Sequence, residues 1–350
     1  MPEMRHDPVQ KRWVVIASER GFRPMDYETA RNSKSEVKVS STPEFDPFAE
    51  GNESSTPPEV YAVRTVGIKP DSPGWKVRVV PNKYPALRIE GNLNREGVGL
   101  YDRMNGIGAH EVVIEAPDRD ADLAFLPPNH AFEVVKAYRE RLIDLMKDKR
   151  FRYILVYRNH GEFAGSTIVH PHSQITALPV TPLIIAKELE SAKQHYYAKE
   201  RCLFCDIIAQ EVRENRRIVA QNERFLAFTP FASRFPYEIC LLPKSHQHDY
   251  RKTTDDDLKQ FVNMLQDILQ RLYAGLQNPP YNMVLHTSPN TESFTPRPTH
   301  WSTIQNDWHW HLEIIPRLNN VAGFEWGSGI FINPMRPEQA AELLRGIVLE

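Results

Sequence analysis

The chain has 350 residues, a length that suits one large domain or two ordinary ones. Its 45 acidic and 43 basic residues nearly balance, so bulk charge does not indicate a nucleic-acid partner. No run of residues approaches the roughly 18 apolar positions of a membrane helix, and the charged N-terminus has no apolar signal region. Three cysteines are too few for a disulfide scaffold. We therefore expect a soluble cytoplasmic protein without nucleic-acid or membrane partners.

The first half of the chain shows a mixed pattern of strands and one helix. Residues 32–73 are rich in Ser, Pro, Thr and Glu and are predicted to form a long surface excursion. Strands are predicted at WKVRVVPN (75–82) and EVVIEAP (111–117). A helix is predicted to begin near Pro127 and Pro128, because the apolar residues that follow repeat at helical spacing. RYILVYRNHG and TIVHPHSQITALP then read as two further strands.

The second half repeats this order after a charged linking helix over residues 187–201. FLAFTPF and YEICLLPKSH read as strands, DDDLKQFVNMLQDILQRLYAGL as an amphipathic helix, and YNMVLHTSP and HWHLEIIPRL as strands. The last strand of each half carries His-x-His followed by Gln or Glu. The ordered set of matches predicts a duplicated α+β fold on antiparallel sheet with flanking helices. Its domains are residues 1–186, the catalytic half, and residues 187–350.

The motif HPHSQ is the strongest chemical signal in the first half. On a strand, alternate side chains share a face, so His170, His172 and Gln174 are predicted to point the same way. A neutral imidazole can attack phosphorus near pH 7, and an amide can donate to phosphoryl oxygens. The preceding loop adds glycines and hydroxyl donors: Gly161, Gly165, Ser166 and Thr167. The alternative is a solvated polar face whose histidines are incidental.

Cys202 and Cys205 form a Cys-x-x-Cys pair, which in an intracellular chain indicates a metal or redox function. Structural zinc needs two further ligands, and His246 and His309 are the first candidates. His248, His286 and His311 are held in reserve. The alternative is two buried thiols without a metal.

Arg20 and Arg23 lie close together near the start of the chain, in SERGFRP. Two guanidinium groups can clamp a phosphate. An ordinary surface loop is the alternative, and this segment alone does not decide between them.

These motifs resemble the histidine-triad superfamily, and in particular its galactose-1-phosphate uridylyltransferase branch. The resemblance extends over nearly the whole chain and includes the Arg20 and Arg23 loop, VVPNKYPAL, the AGST loop, HPHSQ and the duplicated second half. It implies two histidine-triad-like halves that form one extended antiparallel sheet, and a homodimer.

The resemblance also implies a mechanism. His172 matches the nucleophile that attacks the α-phosphorus of a sugar nucleotide, expels a sugar 1-phosphate and leaves a nucleotidyl-histidine. A second sugar phosphate then takes the nucleotide. Gln174, Ser166 and Thr167 match phosphate-binding donors, and His170 is the first histidine of the catalytic motif. The nucleotide and phosphate contacts implied in this way are Arg20, Arg23, Asn82, Tyr84 and Asn159.

The metal ligands depart from the family pattern in the first half. Family members there carry zinc on a Cys-x-x-Cys pair, a histidine and the first motif histidine. Here Asp46 and Ala49 replace the cysteines and Arg119 replaces the histidine, so only His170 remains. We expect no zinc in this half, with an ion pair between Asp46 and Arg119 in its place.

The second half resembles zinc-bearing members of the superfamily, with Cys202, Cys205, His246 and His309 as ligands of one structural zinc. Some transferases of the family instead hold iron there on Glu and three His. The counterparts would be Glu188 or Glu190, His286, His309 and His311. Because His309 cannot serve both sites, the cysteine-containing set is preferred.

The hexose end also departs from the family. Its Tyr-Glu pair and later Gln are not evident in GFEWGSGIFINPMRPEQ (323–339), which resembles a plant-type branch that handles ADP-glucose. The resemblance therefore implies a hexose-1-phosphate nucleotidyltransferase, with UDP-glucose and galactose 1-phosphate as the first substrates. The alternatives are a phosphorylase of ADP-glucose or of a dinucleoside polyphosphate through the same histidine, and a non-catalytic nucleotide-binding protein. Sequence does not decide between uridine and adenine, or between hexose 1-phosphate and phosphate as acceptor.

Overall fold

The computed structural model describes residues 1–22, 45–293 and 301–349, and most of its strands belong to one sheet. The strands of the first half are β1 (Glu3–Asp7), β2 (Arg12–Ile16), β3 (Tyr61–Arg64), β4 (Trp75–Pro81), β5 (Glu96–Val98), β6 (Tyr101–Arg103), β7 (Ala109–Ile114), β8 (Tyr153–His160) and β9 (His172–Leu178). Those of the second half are β10 (Ile218–Gln221), β11 (Phe225–Phe228), β12 (Ile239–Pro243), β13 (Tyr281–His286), β14 (His311–Pro316) and β15 (Phe331–Asn333).

The helices lie between these strands and on the faces of the sheet. They are α1 (Pro128–Leu145), α2 (Leu183–Lys199), α3 (Leu203–Glu214), α4 (Asp255–Leu276), α5 (Ile304–Asp307), α6 (Gly323–Ser328) and α7 (Pro337–Arg345). Short 3-10 turns occur at Ser18–Phe22, Glu53–Ser55, Glu162–Ala164 and Tyr250–Lys252. None of the helices in the described part of the chain is both long and apolar enough to cross a membrane.

The large sheet has ten strands in the order β10-β11-β12-β14-β13-β8-β9-β7-β4-β3. All of its neighbouring strands pair antiparallel, and β8 and β13 meet at its centre. From this centre outward, the first half continues with β9 and β7 and the second half with β14 and β12. β9 therefore corresponds to β14, and β7 to β12. The duplication predicted from the sequence is therefore realised as one continuous sheet, and the α+β fold is confirmed.

One face of the sheet carries the main apolar core. Residues of alternating positions, such as Val113, Ile175 and Leu312, are buried there against α1 and α4, which also pack on each other. α4 is strongly amphipathic and begins with a capping box between Thr254 and Asp257. This packing fixes the sheet from behind and leaves the alternate residues of β7, β8 and β9 for the opposite face.

The opposite face is covered unequally. In the second half, α2 and α3 pack over β11, β12 and β14 with a core that includes Trp308. A separate small sheet is formed by β1, β2 and β15. Its β1–β2 turn lies on the same side and lines a cavity of about 240 Å³ together with His311 and Glu313. In the first half, a smaller apolar cluster around Phe48 and Trp75 covers the end of β7 and β9. The motif HPHSQ lies at this edge.

Several element bounds differ from the sequence prediction. β9 and β14 begin at the second histidine of each motif, so His170 and His309 precede their strands instead of lying within them. The predicted surface excursion 32–73 is wrong for its described part, which contains the edge strand β3 and the buried Phe48; residues 32–44 lie outside the described residues. The linking helix spans Leu183–Lys199, and a separate helix, α3, follows directly after Cys202.

Candidate active site

His172 is the first residue of β9, which lies between β7 and β8 in the large sheet. Its Nδ1 donates to the backbone carbonyl of His170 at 2.8 Å, so the proton of the neutral ring lies on Nδ1 and Nε2 keeps its lone pair. Burial lowers the pKa of His172, which favours this neutral form. The side chain still has 9% of its surface exposed, and Phe48 packs edge-on against the ring at 5.5 Å. The arrangement presents a neutral imidazole in a fixed orientation, with a lone pair on Nε2.

Gln174 lies two residues further along β9, and its amide orientation is fixed by two neighbours. Its Oε1 accepts from His110 Nε2 at 2.8 Å and from the Tyr157 hydroxyl at 3.0 Å. The backbone N–H of Ala86 points at Nδ1 of His110, which makes Nε2 the protonated nitrogen of that ring. With its oxygen held in this way, Gln174 has no hydrogen-bond acceptor for its N–H groups among the described residues, and both are left for a ligand.

Asn159 projects from β8 beside this pair. Its Oδ1 accepts from Asn282 Nδ2 at 2.8 Å, and Asn282 also donates to the carbonyl of Ala164 in the following loop. Asn282 belongs to β13, so the second half positions both the amide of Asn159 and the glycine-containing loop. Gly165 has a φ of +89°, a conformation that favours glycine and ends the 3-10 turn at the site.

The other residues predicted to bind nucleotide or phosphate are less closely gathered. Asn82 lies 3.3 Å from His110 through its Nδ2, and its Oδ1 accepts from the backbone N–H of Tyr84, whose side chain is exposed. Ser166 donates its hydroxyl to the carbonyl of Ile168, and Thr167 is exposed. Arg20 lies exposed in the turn Ser18–Phe22, and Arg23 lies outside the described residues.

His170 is buried beside His172, with a polar partner at each ring nitrogen. Its Nδ1 lies 2.8 Å from Oδ2 of Asp46, and its Nε2 lies 2.7 Å from the carbonyl of Ala116. Phe48 packs edge-on against this ring as well, at 6.1 Å. The predicted pair between Asp46 and Arg119 stays a prediction.

A buried polar network lies directly beneath His172 and Gln174. Ser173, between them on β9, points to the opposite face and donates to Glu115. Glu115 also pairs with Arg158 of β8 at 3.1 Å, and Arg158 donates to the Tyr281 hydroxyl of β13. The Glu115 and Arg158 side chains are 0% and 3% exposed. The network links β7, β8, β9 and β13 at the level of the motif and stiffens the strand that carries it.

The candidate metal ligands of the second half converge on one point. Ligand atoms of Cys202, Cys205, His246 and His309 all lie within 4.8 Å of one another, so the cluster is able to bind a metal ion. Cys205 Sγ is 3.5 Å from Nδ1 of His246 and 3.7 Å from Nδ1 of His309. The Zn–S and Zn–N bond lengths of a tetrahedral site give an S···N separation of roughly 3.5 Å.

Both imidazoles of this cluster have the tautomer that metal binding requires. Nε2 of His246 donates to the carbonyl of Gln305, and Nε2 of His309 donates to the carbonyl of Pro243, each at 2.9 Å. The lone pairs therefore lie on the Nδ1 atoms that face Cys205. A hydrogen bond from Cys202 lowers the pKa of Cys205 to about 3, which favours the thiolate.

A second cluster of potential ligands, formed by Glu188, His286, His311 and Glu313, is buried in the same half. Nδ1 of His286 lies 3.0 Å from Glu188 and 3.1 Å from Nε2 of His311. His309 thus lies with the cysteines and not with this group, and Glu190 is exposed. His311 Nδ1 donates to the carbonyl of His309 as His172 does to that of His170, but its Nε2 faces His286 and only 2% of it is exposed. The hydrogen bond that orients His172 is therefore repeated at His311, but the His311 ring is buried.

Comparison with known proteins places the chain in a family. Residues 1–182 match the N-terminal domain, and residues 188–349 the C-terminal domain, of galactose-1-phosphate uridyl transferase. The chain belongs to the galactose-1-phosphate uridylyltransferase family. The family and the nucleotidyltransferase class expected from the sequence are confirmed, because the relatives that it matches are named as enzymes of this kind.

Individual relatives of this family cover almost the whole chain. An ADP-glucose phosphorylase of Arabidopsis thaliana is 34% identical, over 99% of this chain and 93% of its own. A galactose-1-phosphate uridylyltransferase of Thermotoga maritima is 28% identical over 100% of both chains. The crystal structure of the Arabidopsis thaliana ADP-glucose phosphorylase with bound ADP-glucose covers 100% of both chains with a TM-score of 0.83 and 30% identity.

Three residues of this transferase-family site were not singled out from the sequence. They are His110 and Tyr157, which hold Gln174, and Asn282, which holds Asn159. Each contact joins two strands: His110 and Asn282 lie far along the chain from their partners, and Tyr157 lies on the strand next to that of Gln174, so no spacing within one strand predicts them. One signal is available: on the face of β7 that carries the motif, His110 is polar whereas Val112 and Ile114 are apolar.

Proposed function

We propose that this chain moves a nucleoside monophosphate from a sugar nucleotide to a sugar 1-phosphate through a covalent nucleotidyl-His172. The Nε2 lone pair would attack the α-phosphorus, and the bond to the bridging oxygen would break to release the sugar 1-phosphate. An acceptor phosphate would then attack the same phosphorus and restore the free imidazole. The observation that carries the proposal is the hydrogen bond from His172 Nδ1 to His170, because it leaves Nε2 as the nucleophilic nitrogen.

The remaining predicted residues would bind the substrate around this nitrogen. The N–H groups of Gln174 would donate to the phosphoryl oxygens as charge develops on them. Asn159, whose oxygen is already held by Asn282, would donate from Nδ2. Phosphate would be bound by Ser166, Thr167, Arg20 and Arg23, and the nucleoside by Asn82 and Tyr84.

The first substrate pair to consider is UDP-glucose with galactose 1-phosphate, the chemistry that gives the family its name. A specific observation favours a second candidate. The relative named ADP-glucose phosphorylase is 34% identical, against 28% for the uridylyltransferase of Thermotoga maritima, and its structure with ADP-glucose aligns over the whole chain. In that version, inorganic phosphate would discharge the adenylyl-histidine. Lys83, an exposed cation next to Asn82, lies beside the proposed nucleoside contacts.

We further propose that Cys202, Cys205, His246 and His309 hold one structural zinc. The support is the S···N separation near 3.5 Å and the two Nδ1 lone pairs directed at Cys205. Four protein ligands would leave no open position for substrate, so this ion would stabilise the second half without taking part in the transfer.

The broader organisation is also a proposal. The chain would divide into a catalytic half, residues 1–186, and a metal-bearing half, residues 187–350; the supporting match boundaries lie at residues 182 and 188. We propose a cytoplasmic homodimer. Cys202, Cys205 and Cys240 are unpaired with one another, which suits a reducing compartment. Sedimentation of the purified protein would test the dimer.

A single-turnover experiment with a chase tests the proposed function. The protein is incubated with UDP-glucose or ADP-glucose labelled in the α-phosphate, and the labelled protein is isolated. It is then mixed with galactose 1-phosphate, glucose 1-phosphate or inorganic phosphate. Label released by galactose 1-phosphate identifies a transferase, and label released by phosphate identifies a phosphorylase. Glucose 1-phosphate reverses the first step in either enzyme, so it is the control that the adduct is competent. Nucleotide binding without label on the protein would instead identify a non-catalytic nucleotide-binding protein.

A further inference from the structure

The carboxylate of Asp46 lies against the buried histidine that precedes the nucleophile. Asp46 is held in a tight turn, since its Oδ1 accepts from the backbone N–H of Phe48 at 3.0 Å and its carbonyl accepts from Asn52 at 2.8 Å. Its Oδ2 lies 2.8 Å from Nδ1 of His170, and only 10% of the Asp46 side chain is exposed. The carboxylate is therefore held in one position, with Oδ1 bound to the backbone of its own turn and Oδ2 directed at His170.

His170 has hydrogen-bond acceptors on both sides of its ring. One is the Asp46 carboxylate at Nδ1, and the other is the carbonyl of Ala116, 2.7 Å from Nε2. Neither acceptor has a proton to give, so both ring nitrogens must donate for both contacts to be hydrogen bonds. With the Asp46 carboxylate ionised, the two contacts fit a His170 ring that carries a proton on each nitrogen, and the carboxylate is then the countercharge beside it in an otherwise buried site.

The second half of the same chain offers an internal comparison. His309 occupies the corresponding place before β14, and its Nε2 likewise donates to a carbonyl at the end of the neighbouring strand, Pro243. Its Nδ1, however, faces Cys205 at 3.7 Å in the candidate metal cluster. The two halves thus share the histidine and the carbonyl but differ in what faces Nδ1: a carboxylate in one, a metal-binding thiol group in the other.

We infer that Asp46 is a positioning residue that does for His170, through an ion pair, what a bound metal would do for His309. The effect reaches the nucleophile through two contacts. The carbonyl of His170 accepts from His172 Nδ1 and sets its tautomer, and Phe48, in the Asp46 turn, packs against both imidazoles. The nucleophile of this chain is consequently supported without a metal in its own half. This inference rests on the proposed role of His172 as the nucleophile.

The test reads the histidine rings directly as well as the reaction. Protein labelled with ¹⁵N-histidine is compared before and after Asp46→Ala by long-range ¹H–¹⁵N correlation, with His170→Asn and His172→Asn used to assign the signals. In the unaltered protein, His170 should show two protonated nitrogens and His172 a proton on Nδ1. In Asp46→Ala, His170 should revert to a neutral ring and His172 should become a mixture of tautomers.

Kinetics then show whether the positioning matters. With a saturating sugar nucleotide, Asp46→Ala should slow formation of the histidine adduct by about 10-fold or more while the Kd for the nucleotide stays within about twofold. Asp46→Asn keeps the size of the side chain and one acceptor oxygen. Its rate of adduct formation should therefore lie between the rates of the unaltered protein and of Asp46→Ala. Because it is nearly isosteric, it also shows whether the alanine variant is slow only through a folding defect. Asp206→Ala is the matched control, since Asp206 forms the same 2.8 Å contact with His195 away from the site.

Three results would overturn the inference: a neutral His170 in the unaltered protein, an unchanged His172 tautomer in Asp46→Ala, or adduct formation at the normal rate in that variant. Failure of the proposed function looks different. In that case no sugar nucleotide labels the unaltered protein, while the ring spectra still decide whether Asp46 holds His170 protonated and fixes His172.

Discussion

The backbone carbonyl of His170 accepts a hydrogen bond from Nδ1 of His172 at 2.8 Å. The two residues are two positions apart at the start of β9. His172 is the first residue of the strand, and His170 precedes it. The same relationship recurs between His309 and His311 at 3.1 Å, but there the remaining nitrogen faces His286. The two halves therefore differ at this nitrogen: Nε2 of His172 is left available, whereas Nε2 of His311 is occupied by His286.

The first prediction concerns pH. Burial lowers the pKa of His172, so the neutral, nucleophilic ring persists as the pH falls below 6.5, the usual value for histidine. Protonation removes the lone pair only when the pH falls through this lowered pKa. The single-turnover rate of adduct formation should therefore be level around pH 7 and decline only on the acid side of 6.5. A decline centred above pH 7 would mean that the ring is stabilised in its charged form.

The second prediction concerns the amide of Gln174. Gln174→Ala should slow adduct formation by about 10²–10³-fold, the usual effect of losing one donor to a developing oxyanion. His110→Ala together with Tyr157→Phe should slow it less, because the amide remains but loses both hydrogen bonds to its oxygen. Gln194→Ala removes an exposed amide on α2 and is the control. If the His110 and Tyr157 variant matched the unaltered protein, the orientation of the amide would not matter.

The third prediction concerns the metal. Elemental analysis should find one zinc per chain, and Cys202→Ser with Cys205→Ser should abolish it and lower the melting temperature. Cys240→Ala changes the third cysteine, which is buried outside the cluster, and should keep the zinc. Two zinc ions per chain, or none, would contradict the proposal. Metal retained in the double variant but lost in Glu188→Gln with His286→Asn would assign it to the second cluster.

The fourth prediction concerns stability. Glu115→Gln leaves the Arg158 guanidinium buried without its countercharge, and removing one partner of such a pair costs about 3–5 kcal/mol. The midpoint of urea unfolding should fall accordingly. Glu96→Gln breaks the exposed pair with Arg103 and should cost no more than about 1 kcal/mol. Equal shifts in the two variants would mean that the buried network beneath β9 contributes little.

Much of this fold follows from local pattern, and the exceptions have a physical cause. Strands such as β4 and β12 alternate or are wholly apolar, and α4 keeps one apolar stripe for six turns, so periodicity finds them. β1 is mostly polar, and β15 has three residues; both exist because they pair with β2. Whether such a short or polar segment forms a strand depends on the strand it pairs with, and its own residues do not predict it.

The site divides in the same way. His172 and Gln174 are evident because they lie two residues apart on one strand, and the cysteine pair is evident from its spacing. His110 and Asn282 act across strands, 64 residues from Gln174 and 123 residues from Asn159. Asp46 takes its role from a turn that brings it to a histidine 124 residues away. Such contacts come from strand order, which no local window contains.

The most direct test of the central claim is the mass of the intact protein after incubation with a sugar nucleotide and no acceptor. We predict that UDP-glucose, ADP-glucose or both add one nucleoside monophosphate per chain, and that peptide mapping places it on His172. His172→Asn should show no gain while keeping its fold, and His195→Asn, at a half-buried position of α2, should gain the full mass. A nucleotide adduct that persists in His172→Asn, or turnover without any adduct in the unaltered protein, would contradict the account.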